Sequence, residues 1–213
     1  EFMAANLKHQ GNIEKITLYM EQCKSSNLNV LGPDVNESKI DFAVSKTGTI
    51  RFGLSSIKGI GEGPSQDILD ARKGKLFEDL YDFVVRVNTR SINKKTLEGL
   101  VYSGGLDSFG LDREAYFSVN EKGSTFIEQL IKYASAVRDM NEGSTMSLFG
   151  DDMDQVVAPP VAFPYQNWSV NYKLEKEKEM IGLYASGHPL DPFRLELDKL
   201  CNCVLSEIAN IDK

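Results

Sequence analysis

Two glycines flank a single isoleucine in the run Ile57-Lys58-Gly59-Ile60-Gly61-Glu62-Gly63-Pro64-Ser65, and no other short pattern constrains this chain as tightly. Glycine at 59 and 61 admits positive backbone dihedrals and close approach by another surface, because no side chain stands in the way. Pro64 suits the first position of a helix, where its missing N–H is one of the donors left unpaired in any case. Residues 65–72 then read as that helix, with Ile68, Leu69 and Arg72 on usable spacings. Leu54, Ile57, Ile60, Ile68 and Leu69 fall where two helices joined by a tight turn need apolar contacts. This is the pattern of a helix-hairpin-helix, whose outward N–H groups at the turn and helix start suit phosphate oxygens. It predicts a grip on a nucleic-acid backbone through Lys58, Gly59, Ile60, Gly61, Gly63 and Ser65, with little regard for base sequence.

A second, more degenerate unit follows. Residues 76–86 have the apolar spacing of a short amphipathic helix. Residues 93–102 form another, with Leu97, Leu100 and Val101 inward and Lys94 and Lys95 near its start. Ser103-Gly104-Gly105-Leu106-Asp107 is a glycine-rich turn, after which Asp112 is placed to cap a helix over residues 113–119. Lys94, Lys95, Gly104 and Gly105 therefore join the candidate DNA-binding set. Asp107, where a second turn glycine is expected, favours a packing role for this turn alongside any phosphate contact.

Charge enters here, because a formal net charge of −7 opposes nucleic acid. It is unevenly distributed. Residues 46–122 hold 12 basic and 11 acidic side chains, leaving 12 against 20 elsewhere. The bases gather at Arg72-Lys73-Gly74-Lys75, Arg86, Arg90 and Lys94-Lys95, and a local basic face binds phosphate whatever the whole chain carries. A purely structural role is also open to the first group, since bases and glycine at a helix C-terminus complement the dipole and cap it.

The rest is organised around these units. Residues 13–23 have helical spacing, residues 28–31 look extended, and 40–44 with 50–54 alternate as a β-hairpin turned by Lys46-Thr47-Gly48. A helix is expected over 126–140, a polar linker to about 164, a charged helix over 173–186 stopped by Gly187 and Pro189, and a last helix over 191–200. Within the acidic linker lies the apolar knot Met146-Ser147-Leu148-Phe149, which reads as a peptide that anchors in a pocket on a partner protein. Glu1-Phe2-Met3 resemble an expression scar ahead of a start codon, with no signal-peptide core, and no apolar run approaches the ~20 residues of a membrane span. Three cysteines, at 23, 201 and 203, argue for a reducing compartment, and Cys201-Asn202-Cys203 lacks zinc-knuckle spacing. His188, at a helix stop with no nucleophile or carboxylate partner, reads as structural. No phosphate-binding Walker loop and no rigid Asp-x-Asp pair is present, so neither catalytic nor metal residues are assigned.

Val30-Leu31-Gly32-Pro33-Asp34-Val35-Asn36, Ile50-Arg51-Phe52-Gly53-Leu54 with Ile57 to Gly61, Leu97-Glu98 through Gly104 to Asp107, and Ser186-Gly187-His188-Pro189-Leu190-Asp191 together resemble the alpha subunit of bacterial DNA polymerase III, the replicative C-family polymerase. The blocks run in order over nearly the whole chain. The resemblance implies the end of a fingers domain over residues 1–54, a tandem helix-hairpin-helix domain over 55–123, a helix over 124–140, a clamp-binding linker over 141–164, and a helical segment over 165–213 leading to an absent oligonucleotide-binding barrel. It implies that the palm, with its magnesium-binding aspartates, lies outside this chain, so that this piece needs no cofactor and does not polymerise DNA while its parent does. The implied partners are duplex DNA, the sliding clamp (beta subunit) and other replisome subunits, in a bacterial cytoplasm at the nucleoid. The family's clamp peptide has the form Gln-x-x-Leu-Phe; here Thr145-Met146-Ser147-Leu148-Phe149 keeps the apolar end and puts threonine where glutamine is expected.

The expected fold is mainly α with a small β-hairpin, a tandem helix-hairpin-helix flanked by a truncated fingers segment and C-terminal helices. Two other function classes are separable. A hairpin-bearing repair enzyme needs a catalytic Asp or Lys facing a base pocket, for which only Asp67 and Asp70 stand near the turn. A pure interaction scaffold uses the glycines for helix packing alone.

Overall fold

The computed structural model describes residues 2–8, 18–19, 22–23, 25–26, 28–45, 48–88, 92–143 and 157–201. The expected helix over 13–23 and the peptide Thr145 to Phe149 lie wholly or largely outside them. The fold is mainly α with a small sheet, as the periodicities indicate. Helix α1 (Phe2–Lys8) buries Ala4 and Leu7, so residues expected to be an expression scar begin a packed helix.

Strands β1 (Val30–Leu31), β2 (Ala43–Val44) and β3 (Ile50–Arg51) form one sheet in the order β1-β3-β2. The predicted hairpin is β2–β3, antiparallel with Ala43 opposite Arg51, and the extended segment before Gly32 adds β1 in parallel to β3. The strands are shorter than their alternation suggests because the backbone of residues 40–41 crosses over Gly53. A Cβ there would come within 2.6 Å of Asp41 Cα and Ile40 O. Leu54 and Ser55 then donate their N–H groups to Lys39 O and Ile40 O, each at 3.0 Å, which ends the strand and starts a 3₁₀ turn at Leu54–Ser56.

Four helices follow: α2 (Glu62–Ala71), α3 (Leu80–Arg86), α4 (Lys94–Tyr102) and α5 (Phe126–Gly143). α3 starts four residues later than its apolar spacing suggests. Asp79 accepts the N–H of Asp82 at 2.7 Å and caps the helix, which leaves Leu76 exposed before it. Asn93 caps α4 in the same way through the N–H of Thr96 at 3.0 Å. The helix expected over 113–119 is a 3₁₀ turn, Arg113–Phe117, and Asp112 does not cap it. Its carboxylate accepts the Tyr165 hydroxyl at 2.9 Å instead.

That contact belongs to a return path. Residues 157–164, expected within a polar linker, lie against the helices. Tyr81 donates to Pro160 O at 2.7 Å, Phe163 N–H to Ser118 Oγ at 3.0 Å, and Trp168 N–H to Glu114 Oε1 at 3.1 Å. The Trp168 ring lies beside Phe117 and Tyr102, with centroids 5.3 and 5.8 Å away. Helix α6 (Val170–Ile181) ends sooner than the expected 173–186, because Gly182 takes a left-handed φ of 79° and donates to Lys178 O at 2.8 Å. α7 (Arg194–Leu200) closes the described chain after a 3₁₀ turn at Asp191–Phe193. His188 closes that approach, its Nδ1 accepting the N–H of Leu190 at 3.2 Å.

One apolar core runs through these parts, with Phe52, Leu54, Ile57, Ile60, Ile68, Phe83, Leu97, Leu100 and Leu130 all buried. Beside it sits a buried ionic group. Arg113, 9% exposed, donates to Asp107 Oδ1 at 2.9 Å and to Glu177 Oε1 at 3.2 Å. Burial opposes its charge, yet bonds to Asp107 and then Glu177 outweigh that and hold its pKa above the ordinary range. Glu177 is 1% exposed, and its second oxygen accepts the N–H groups of Ala185 and Ser186 at 2.7 and 2.9 Å. Removing one partner from such a pair strands a buried charge. Glu177→Ala should therefore lower unfolding free energy by about 3 kcal/mol in a denaturant titration, whereas a change within experimental error would show the pair to be idle.

Candidate nucleic-acid interface

The first hairpin is assembled from Ile57 to the first turn of α2. Ile57 and Ile60 are buried, and the N–H of Ile60 donates to Ile57 O at 3.0 Å, which tightens the bend. Gly59 sits at its apex with φ 86°, a conformation that L side chains rarely adopt. Of the two glycines expected to need positive dihedrals, only this one does. Gly61 is the extended N-cap of α2, with φ −86°, and the helix begins at Glu62, so Pro64 occupies the third helical position rather than the first.

The donors of that helix start follow from hydrogen-bond geometry. Ser65 N–H makes the first intrahelical bond, to Gly61 O at 3.2 Å, and Pro64 has no N–H. The N–H groups of Glu62 and Gly63 precede that bond, and no side chain caps them. A Cβ placed at Gly61 or Gly63 meets nothing within 4 Å. Neither backbone strain nor internal packing therefore demands glycine at these positions. Lys58, Gly59, Gly61 and Gly63 are all exposed, with Glu62 the acid of the same turn.

Two predicted contact residues are corrected. Ser65 is fully buried and its hydroxyl donates to Gly61 O at 2.8 Å, while Ile60 is 2% exposed with its amide bonded inside the bend. Both shape the hairpin and neither can reach a ligand.

Gly104 and Gly105 are corrected as well. Gly104 has φ 82°, and its N–H and that of Gly105 donate to Val101 O and Leu100 O at 3.1 and 2.7 Å. A Cβ at Gly104 would fall on the Arg113 guanidinium and 3.0 Å from Asp107 Oδ2. The carbonyl of Gly105 accepts Val35 N–H at 3.0 Å. Both glycines are buried. The amides of Gly104 and Gly105 are thus bonded within the turn, and Arg113 and Asp107 lie directly beside it.

The bases divide in the same manner. Arg72 donates to Val35 O at 2.6 Å and to Ser38 O, and burial lowers its pKa. Arg86 donates to Lys75 O at 2.7 Å, to Ala71 O and to Asp82 at 2.8 Å. Both arginines hold chain segments together. Lys73 and Lys75 pair with Asp70 and Glu78 at 3.0 and 2.7 Å, and Lys94 pairs with Glu128 at 2.9 Å. Among the described residues no ion pair engages Lys58 or Lys95. Arg90 lies outside them.

Lys95 stands beside the first hairpin, not the second. Its Cε lies 3.2 Å from the point where a side chain at Gly59 would begin. Gly99, one turn along the same face of α4, lets the helix sit close to Ile60 and to Lys58 O, each 3.6 Å from a Cβ built there. The N–H of Lys58 is in turn held by Met180 O of α6 at 2.8 Å. Among the described residues no helix is long and apolar enough to cross a membrane, and no three His, Cys, Asp or Glu side chains are grouped to hold a metal ion.

The family described as "Helix-hairpin-helix motif" matches residues 27–116, the span that carries both turns. The DNA polymerase III subunit alpha of Vibrio cholerae is 36% identical over 214 residues, covering 98% of this chain and 18% of that protein. The chain is homologous to one stretch of the DNA polymerase III alpha subunits. The subunit from Bacillus subtilis is 35% identical over 187 residues, covering 88% of the chain and 16% of its own length. That from Pseudomonas fluorescens is 34% identical over 210 residues, covering 92% and 18%. The chain spans under a fifth of the length of these relatives.

The sequence pattern marks the bend at Ile57 to Gly61 but not the acid that joins Arg113 beside the second turn. Glu177 lies in a run of alternating lysines and glutamates that reads as a solvated face, and it is 64 positions from Arg113. Nothing local in either segment marks the pair.

A capping box holds α5 behind the second unit. Glu128 accepts the N–H of Thr125 at 2.9 Å and returns its own N–H to Thr125 Oγ1 at 3.3 Å. Lys94 first, then Thr125 N–H and the Ser124 hydroxyl, draw the Glu128 carboxyl down to about 2. A lowered carboxyl pKa adds stability that is complete above the ordinary carboxylate range and lost as pH falls through the folded value. Melting temperature should thus fall further between pH 5 and pH 2 in the native protein than in Glu128→Gln; parallel curves would contradict the assignment.

Proposed function

We propose that this chain is the part of a replicative DNA polymerase that holds the sugar–phosphate backbone of duplex DNA through its first hairpin and docks on a sliding clamp through Thr145 to Phe149. Gly61 and Gly63 carry the first half of the proposal. Glycine is present where the fold has no use for it, beside two N–H groups at a helix start and an exposed lysine, and phosphate oxygens need such open backbone. The contact is to backbone atoms, so affinity follows ionic strength and ignores base order. Residues 55–123 are read as the DNA-holding unit, 1–54 as the end of a fingers domain, 124–140 as a joining helix, 141–164 as the clamp-docking linker, and 165–213 as a helical segment leading onward. Polymerisation, with its magnesium ions, is assigned to the parts of the relatives outside the matched stretch. The setting is the bacterial cytoplasm, with other replisome subunits as further partners.

Gly63→Ala separates DNA holding from a purely structural use of glycine. Alanine at an exposed helical position stabilises by up to about 1 kcal/mol, and its methyl group stands in the path of a phosphate. The variant should melt higher and bind duplex DNA roughly tenfold more weakly, on the scale of one charge-assisted hydrogen bond. Higher stability with unchanged binding would support the scaffold reading instead.

Leu148 and Phe149 are the apolar anchors of the clamp peptide, and aromatic and aliphatic anchors carry most of such contacts. Leu148→Ala with Phe149→Ala should abolish binding to a cognate clamp in surface plasmon resonance and leave duplex affinity unchanged. Undiminished clamp binding would remove the peptide from the account.

A further inference from the structure

We infer that the two hairpin units build one composite phosphate site, in which Lys95 of the second unit supplies the cation for the turn of the first. The inference rests on the backbone-holding role proposed above and assigns the labour within it.

Adjacent residues on a helix diverge by about 100°, so Lys94 and Lys95 cannot serve one target. Lys94 turns toward α5 and pairs with Glu128. Lys95 turns toward the first hairpin, where its stem crosses Gly59 and its Nζ reaches 4.0 Å from the point where a side chain would start. A glycine at the apex is what makes room for that stem, and long lysine stems cover such surfaces while keeping the charge in water. The placement is built into the fold. Gly99 holds α4 against Ile60 and Lys58 O, and Asn93 fixes the start of the helix one residue before Lys94. In the second turn the Gly104 and Gly105 amides are already bonded to Val101 O and Leu100 O. Its unit therefore contributes to binding through a side chain aimed at its neighbour. Acids also stand near this face: Glu62 on α2, Glu98 three residues after Lys95 on α4, and Glu179 on α6, whose lowered pKa comes first from Lys176 and in small part from Lys58.

Fluorescence anisotropy of a labelled mixed-sequence duplex, titrated with the whole chain between 50 and 200 mM salt, tests this. Lys95→Ala should weaken binding roughly tenfold at the lower salt and reduce the log–log salt slope by about one, whereas Lys132→Ala, at an exposed position of α5, should leave the slope unchanged and Lys95→Arg should restore it. Circular dichroism of each variant confirms that the fold is kept. In a double-mutant cycle, Lys95→Ala and Gly63→Ala should be less than additive, because both act on one site. If the native chain binds and Lys95→Ala matches Lys132→Ala, or if the cycle is strictly additive, the composite site is wrong while the backbone reading stands. If the native chain binds no duplex at 50 mM salt, the backbone reading fails and takes this inference with it.

Discussion

A guanidinium buried behind a glycine turn needs carboxylates from elsewhere, and in this chain that requirement ties distant segments into one body. Arg113 takes Asp107 from its own turn and Glu177 from α6. The second oxygen of Glu177 holds the backbone at Ala185 and Ser186, and three residues after Glu177 the carbonyl of Met180 accepts the N–H of Lys58. A continuous path of polar contacts therefore runs from the second hairpin, through α6, to the first. Pairs of this kind contribute little net stability over an apolar substitute but impose a large penalty when broken. Their value here is orientational, since they set how the exposed hairpin is presented.

That path explains why two related turns have opposite characters. Both contain a glycine in the left-handed region, Gly59 at 86° and Gly104 at 82°. At Gly104 the missing side chain makes room for the protein's own arginine. At Gly59 it makes room for a lysine stem, and the glycines that follow leave the helix start bare. The same local conformation supports internal closure in one unit and an open face in the other. What differs is whether carboxylates neutralise the cation: Asp107 and Glu177 do so for Arg113, and among the described residues no ion pair engages Lys95. The proposed phosphate site is compatible with an acidic chain, because a few locally placed charges suffice for it.

Much of this was legible in the residues. Apolar spacing located α2, α4 and α5, alternation located β2 and β3, and the Gly-Ile-Gly run located the open turn. Element ends were less legible, because they depend on single polar contacts. Asp79 starts α3 late, Gly182 stops α6 early, and Asp112 is drawn from its expected cap to Tyr165. The candidate site was half visible. Ser65 and Ile60 look like ligand residues in a linear motif, yet the bend needs them inside. The nearness of Lys95 to Gly59 and of Glu177 to Arg113 is purely tertiary, and helical periodicity carries no trace of either.

The central claim is that bare amides at the start of α2 face a phosphate backbone while the second turn stays closed. Amide chemical shifts followed by NMR during titration with a short duplex read those groups one by one. The account predicts that Gly59, Gly61, Glu62 and Gly63 move most, and that Gly104 and Gly105 do not move. Shifts centred on Gly104 and Gly105, with the first hairpin unchanged, would contradict it.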